Sequence, residues 1–371
     1  MIRRQPLRYA ARGGPRHAGS MALGVAALAV SADAVAQPQA DWGLYVSLRP
    51  TIGVLDDGDH AGLNVFDRAS RVGLEGTFRP EPAAPEVFWQ VESGIDLDEG
   101  GGELANRDSF VGARGGPGAL RFGFFSTPVR RIGRNVEQVF ARTGDNRNMV
   151  RVDGVAGGQD DRAPGWDNRW GNSVEYVTPL LNGWSAAVQY ASNFADDFGS
   201  TSTPNGAVST SLSYARGGLW LAAGYEAIDQ DAPALASTGA ASPELLRLGG
   251  AYTGDHWVIA GLWQRAEDQQ GVNGQDRDTL GGGGSYWLTN ATRIGGQVYY
   301  AEDIDTLGDT SATLYAAELE HRPYPRTHVY LSVAHTRNSE NARFHSTRGE
   351  IDDGPLGANS TSVSLSGRYD F

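Results

Sequence analysis

From Trp42 onward the chain alternates between apolar and polar positions with a period of two. Trp42, Leu44, Val46, Leu48, Ile52 and Val54 share one parity, while Tyr45, Ser47, Arg49 and Thr51 occupy the other. An α-helix would repeat near 3.6 residues, so this pattern predicts an extended strand with one apolar and one polar face. It returns at Val72, Leu74 and Phe78 against Arg71, Glu75 and Thr77, and at Val87, Trp89, Val91 and Ile95 against Gln90, Glu92 and Asp96. Later runs include Leu120/Phe122/Phe124, Trp184/Ala186/Val188/Tyr190, Leu219/Leu221/Ala223/Tyr225, Leu246/Leu248/Tyr252, Ile294/Val298/Tyr300 and Val329/Leu331/Val333. With weaker segments near 107–113, 173–178, 208–214, 257–265, 278–288, 313–322 and 362–371, the pattern predicts about sixteen strands.

A soluble sandwich alternates too, so the connections have to decide the environment. One set is short: Gly115-Gly116-Pro117-Gly118, Leu181-Asn182-Gly183, Arg216-Gly217-Gly218, Gly254-Asp255-His256 and Thr289-Asn290-Ala291. The intervening set is expected to be long and acidic, at 56–67, 98–106, 127–171, 193–206, 228–244, 266–277, 302–312 and 336–361. Long and short links in strict alternation mark bacterial membrane barrels, whose periplasmic turns are tight and whose outer loops are extended. Val363, Leu365, Tyr369 and Phe371 also alternate, as a closing strand must if no edge is to be left open in lipid. The fold class expected is therefore all-β, a transmembrane antiparallel β-barrel.

Composition narrows this further. No stretch after residue 40 approaches the roughly 18 continuous apolar residues of a spanning helix, so the chain could cross a membrane only as strands. Cys and Lys are absent, which removes disulfides and thiolate metal sites and makes every fixed basic side chain an Arg. Arg3, Arg4, Arg8, Arg12 and Arg16 precede the apolar run Met21 to Val30, and Ala34-Val35-Ala36 follows. That arrangement reads as a signal peptide over 1–36, with a barrel domain over 37–371. Without residues 1–36 the formal charge is 26 − 43 = −17, which disfavours nucleic acid as a partner.

Several constellations have plain readings. Gly281 to Gly284 lacks the Lys-Ser/Thr of a phosphate loop and reads as a strand with close neighbours. Asp56, Asp57 and Asp59 lack the ligand spacing of a calcium loop and read as solvated loop residues. His321, His328, His335 and His345 fit no metal or hydrolase motif. No catalytic residue, cofactor or metal is expected. The rival readings are a barrel hydrolase, for which no Ser or Asp paired with His presents itself, and a structural or adhesive barrel with a plugged lumen.

SRVGLEG (Ser70 to Gly76), WQVESGID (Trp89 to Asp96), RDSFVGA (Arg107 to Ala113), LRFGFFSTP (Leu120 to Pro128), NSVEYVTPLLNGWSAAVQY (Asn172 to Tyr190) and the terminal SGRYDF resemble segments of the trimeric Gram-negative porins, in the family's order. The resemblance implies sixteen strands, an outer-membrane homotrimer, passive diffusion of small hydrophilic solutes and ions, and a third loop folded inward to narrow the pore. That loop falls on 127–171, the longest link, where Val136 to Arg142 is expected to form a short helix ended or turned by Gly144 and Gly154. The resemblance assigns Arg49, Arg71, Arg107 and Arg169 to a basic wall at the constriction. Glu137 and Asp145, with Asp153 as a further candidate, are the acids expected to face it. Arg130, Arg131 and Arg134 on the same loop leave its net sign open. Acidic outer loops acting against this wall predict a weak preference for cations.

Overall fold

The structure is a computed structural model that describes residues 39–140, 143–151, 166–192, 206–229, 241–269, 272–347 and 354–371. The expected signal segment, Asp153 and Gly154 lie outside these residues. The chain runs through β1 (Gln39–Leu48), β2 (Pro50–Asp56), β3 (Ala61–Asp67), β4 (Ser70–Arg79), β5 (Glu86–Ile95), β6 (Ser109–Gly115) and β7 (Gly118–Ser126). Two short helices follow, α1 (Pro128–Val136) and α2 (Arg147–Val150). The wall then resumes with β8 (Arg169–Val177), β9 (Trp184–Ser192), β10 (Gly206–Arg216), β11 (Leu219–Ile228), β12 (Glu244–Thr253) and β13 (Trp257–Glu267). It ends with β14 (Arg277–Trp287), β15 (Thr292–Ala301), β16 (Ala312–Tyr324), β17 (Thr327–Asn338) and β18 (Ser360–Asp370).

Every neighbouring pair is antiparallel, and the ring closes because β18 pairs with β2 over Thr361 to Ser366 and with β1 at Tyr369 and Asp370. Val46 and Phe371 exchange backbone hydrogen bonds at 2.7 and 3.0 Å, which completes the seam. β1 and β2 are two parts of one wall strand interrupted at Arg49, and β3 and β4 are two parts of the next. The eighteen segments therefore make 18 − 2 = 16 wall strands. A closed ring leaves no strand edge to hydrogen-bond with lipid.

The apolar parity points outward. Trp42, Leu44, Ile52, Val54, Leu74 and Val91 are all exposed, as are Leu221, Leu248, Val298 and Leu331 on later strands, while Ser47, Thr51, Glu92, Gln264, Gln297 and Ser364 on the opposite parity are buried. The tight turns follow from local chemistry. Asn182 (φ 52°) and Gly183 (φ 94°) both take the left-handed conformation that a two-residue hairpin turn requires, and Leu181 and Trp184 exchange backbone hydrogen bonds across it.

Two expectations are corrected. The segment 56–67 is not a long loop: β2 and β3 join through four residues, in which Asp57 accepts hydrogen bonds from the Asp59 and His60 amides at 2.8 and 2.7 Å. Those bonds use the acid to cap its own turn. β3 escaped the alternation because its outward residues Leu63 and Val65 are odd-numbered, whereas Val72 and Leu74 of β4 are even. The parity changes at Arg68-Ala69, where Ala69 has φ 69°. The helix predicted over Val136 to Arg142 is shifted: α1 ends at Val136, and Glu137 to Phe140 are extended or irregular. Thr127 starts α1 by accepting from the Arg130 amide at 3.1 Å, and Pro128 fits its first turn.

Candidate functional site

The link after β7 turns into the barrel. On α1, Val129, Ile132 and Val136 are fully buried, and Ile132 reaches the lumen-facing glycines Gly224 and Gly249 of β11 and β12. Val139, Met149 and Val150 are buried along the same wall. At roughly 1.5–3 kcal/mol for each fully buried aliphatic side chain, these contacts are enough to hold the segment against the β10–β17 side of the lumen.

Beyond α1 the backbone cannot continue as helix because wall side chains take its polar groups. Gln297 Oε1 accepts from the Gln138 amide at 3.0 Å, Arg293 donates to the Gln138 carbonyl at 2.7 Å, and Glu318 accepts from the Phe140 amide at 3.2 Å. Gln297 Nε2 then donates to the Gly144 carbonyl at 2.6 Å, where φ is +75° and the chain turns. From above, the Ser346 carbonyl accepts from the Gly144 amide at 2.7 Å, so the last outer loop also pins this segment.

The strongest anchor is ionic and was not foreseen. Asp167 Oδ1 accepts from Arg247 of β12 at 2.7 Å and Asp167 Oδ2 from Arg147 at 2.6 Å, while Arg130 donates to the Asp167 carbonyl at 2.8 Å. Burial alone would push the Asp167 carboxyl up, but Arg147, Arg247 and Arg130 together hold it below the ordinary carboxylate range. Both Arg247 and Asp167 are fully buried, so removing one would strand the other's charge. The site thus joins the two ends of the inward segment to one wall strand.

The four expected arginines stand on the remaining side of the lumen, from β1 round to β8. Arg71 and Arg107 share Glu92, at 3.2 and 2.5 Å. Arg169 pairs with Asp108. Arg49 donates to Ser47 at 3.0 Å and lies close enough to Arg71, Arg68 and Arg368 to feel their charges. Arg121, not anticipated, joins this row: it and Arg131 of α1 both bind Glu175, at 2.8 and 2.5 Å. The guanidinium of Arg121 also lies over the Phe125 ring at 3.9 Å. Arg71, Arg107, Arg121 and Arg169 are therefore held by acids of neighbouring wall segments, Glu92, Glu175 and Asp108. Glu92 of β5 and Glu175 of β8, each on the polar parity of its strand, were the signal that could have revealed this.

Glu137 and Asp145 do not bind any of the four. They lie against each other near Arg68, Arg134 and Arg147. Burial, and then the negative charge of Asp145, push the Glu137 carboxyl well above its ordinary range. Arg134 is the exposed charge of α1 and acts on Arg71 across the lumen.

A family description, Gram-negative porin, matches residues 20–341. The chain belongs to that family. It is 27% identical over 180 residues to a major outer membrane protein P.IB of Neisseria gonorrhoeae, a stretch covering 46% of this chain and 47% of that protein. The P.IB protein of Neisseria lactamica is 26% identical over 180 residues, covering 46% and 48%. The matched stretch spans about half the length of these curated relatives. Among solved structures, an anion-selective porin from Comamonas acidovorans superposes with a TM-score of 0.72 at 19% identity, over 90% of this chain and all of that one. Salmonella typhi OmpF, in a complex with daunomycin, gives 0.66 at 14% identity over 89% and 97%. These likenesses establish the porin fold, and this porin resides in the outer membrane.

Proposed function

We propose that this porin is a water-filled channel for passive diffusion of small hydrophilic solutes and ions, assembled as a homotrimer, with its constriction between the arginine wall and the inward segment. One observation carries the reading: among the described residues the buried apolar side chains of the inward segment pack against the β10–β17 side, and on the opposite side Arg71, Arg107, Arg121 and Arg169 keep between 12 and 21% of their side-chain surface exposed. A lumen wall that carries a row of wet charge suits conduction better than it suits a plug or a catalytic pocket. Aromatic side chains on the outward parity, among them Trp42, Trp184, Tyr252, Trp257, Tyr324 and Tyr369, suit the membrane girdles of such a barrel.

The charge count at the narrow part favours anions, a different balance from the weak cation preference expected when acidic outer loops were set against the wall arginines. Arg49, Arg71, Arg107, Arg121, Arg131, Arg134 and Arg169 face Glu92, Asp108 and Glu175; adding Glu137 and Asp145 as fully charged still leaves 7 − 5 = +2. Acids on the outer loops are more exposed and more strongly screened. Conductance of the purified protein in a planar lipid bilayer tests the reading. Steady, ohmic steps in salt are expected, and a folded protein that inserts without conducting would refute it.

A further inference from the structure

The outward surface of β14 to β17 carries a groove of about 460 Å³. Gly282, Gly296 and Ala317 form its floor, Val298, Tyr315 and Val333 its sides, and His335 one end. These residues share the parity of Leu280, Tyr300, Leu319 and Leu331, which face lipid. The lumen side of the same wall is occupied, since Gly144 lies against Ala316 and Ala334 there.

Register fixes the depth of the groove. Gly282 is opposite Val298, Val298 opposite Tyr315, and Tyr315 opposite His335. One step toward the outer loops, Tyr300 is opposite Thr313 and Thr313 opposite Arg337. The apolar floor therefore lies in the outer leaflet, with Arg337 immediately above it. Arg337 is exposed on the outward face and forms no ion pair among the described residues. His335, on the outward parity, has its Nδ1 engaged by Thr361 at 2.9 Å, and its Nε2 has no partner among the described residues.

Glycine is disfavoured inside strands unless something approaches closely. At Gly282 the barrel itself accounts for it, because a Cβ would come within 2.7 Å of the Ala260 carbonyl. At Gly296 it does not: a Cβ would meet only the Ala316 carbonyl, at an ordinary 3.4 Å. The open floor there is left for a neighbour outside the chain. An apolar trough with a cation at its headgroup end is complementary to one kind of neighbour, an anionic amphiphile standing in the outer leaflet.

We propose that this groove seats an acyl chain of an anionic outer-leaflet lipid whose headgroup phosphate meets Arg337 and the outward nitrogen of His335. The inference rests on the barrel lying in the outer membrane and not on its conducting solutes. It is tested on the purified full-length barrel in detergent, given equal amounts of phosphatidylglycerol and phosphatidylcholine, by native mass spectrometry of the retained lipid. The wild type should retain phosphatidylglycerol about fivefold over phosphatidylcholine, the preference that one basic residue at an anionic surface confers. Arg337→Gln should bring the two lipids to parity, and Gly296→Leu should abolish retention of both. Ala317→Leu blocks the same floor from the next strand, should Gly296→Leu not fold. Bilayer conductance should be unchanged in all three, which separates this result from any failure of the channel reading. Excess inorganic phosphate should not displace the lipid. Equal retention of the two lipids by the wild type, or wild-type retention by the groove-filling variants, would overturn the proposal. So would displacement by phosphate, or variants that dissociate the oligomer without altering lipid retention, since the groove would then be an anion site or a contact between copies.

Discussion

Glu137 illustrates how far one residue's environment departs from its composition. Its carboxyl is buried beside Asp145, so the seated loop favours the protonated form, and its pKa is raised above the ordinary value of about 4.3. For an acid raised in this way, the contribution to seating is complete below the ordinary pKa and is lost as pH rises through the raised one. The inward segment should therefore loosen as pH rises, seen as more current noise in single-channel records. Glu137→Gln, which keeps the hydrogen-bonding shape without the charge, should remove that pH dependence. A variant with wild-type noise at every pH would show that Glu137 does not titrate in place. Asp167 works in the opposite sense: its three arginines stabilise the ionised form, so its contribution is present above the ordinary carboxylate pKa and is lost only as pH falls toward the depressed value.

Among the elements, the inward segment depends on a turn that only glycine fits. Gly144 has φ +75°, and a Cβ there would lie 2.4 Å from the Ala316 Cβ. Gly144→Ala combines left-handed strain, roughly 1–2 kcal/mol, with a clash against β16, so the segment should shift away from that strand. The expected result is a changed single-channel conductance with the β-sheet circular dichroism spectrum retained. Gly217→Ala is the control: φ is +59° but nothing lies within 4 Å, so the channel should conduct as wild type. The element scale also shows why α1 was misplaced. Val136 to Arg142 has helix-forming residues, but Gln297, Arg293 and Glu318 claim the backbone groups that a helix would need. The Thr127-Pro128 start was readable in the sequence, because the capping chemistry is local.

For the whole molecule, the question is which charges govern passage. The formal charge of residues 37–371, 26 − 43 = −17, is spread largely over outer loops, whereas the arginine row is concentrated on one side of the lumen. Field at a narrow, partly desolvated passage outweighs charge spread beyond a Debye length of about 10 Å at 0.1 M salt. Replacing Arg71 and Arg107 together by Ala removes two positive charges and leaves Glu92 without either ion-pair partner. The reversal potential in a salt gradient should move toward cations, and conductance should rise. Unchanged selectivity in a folded double variant would place the working surface elsewhere.

Sequence alone determined the strands, the parity of their faces and the short turns, because alternation and turn chemistry act over two to four neighbouring residues. Alternation also put Arg49 and Arg71 on the polar parity of their strands, whereas Arg107 and Arg169 were assigned by the family resemblance. Tertiary structure decided what these groups meet. The β2–β3 hairpin was hidden by the parity change at Arg68-Ala69, which has no signature in the alternation on either side. The Asp167–Arg247 anchor joins positions 80 residues apart, and the Gln138–Gln297 contact joins positions 159 apart. Whether Glu137 faces the wall or Asp145 depended on where the loop's apolar residues found a surface to cover. Ring closure brought those surfaces together, and contacts between distant strands carry no local period by which they could be read.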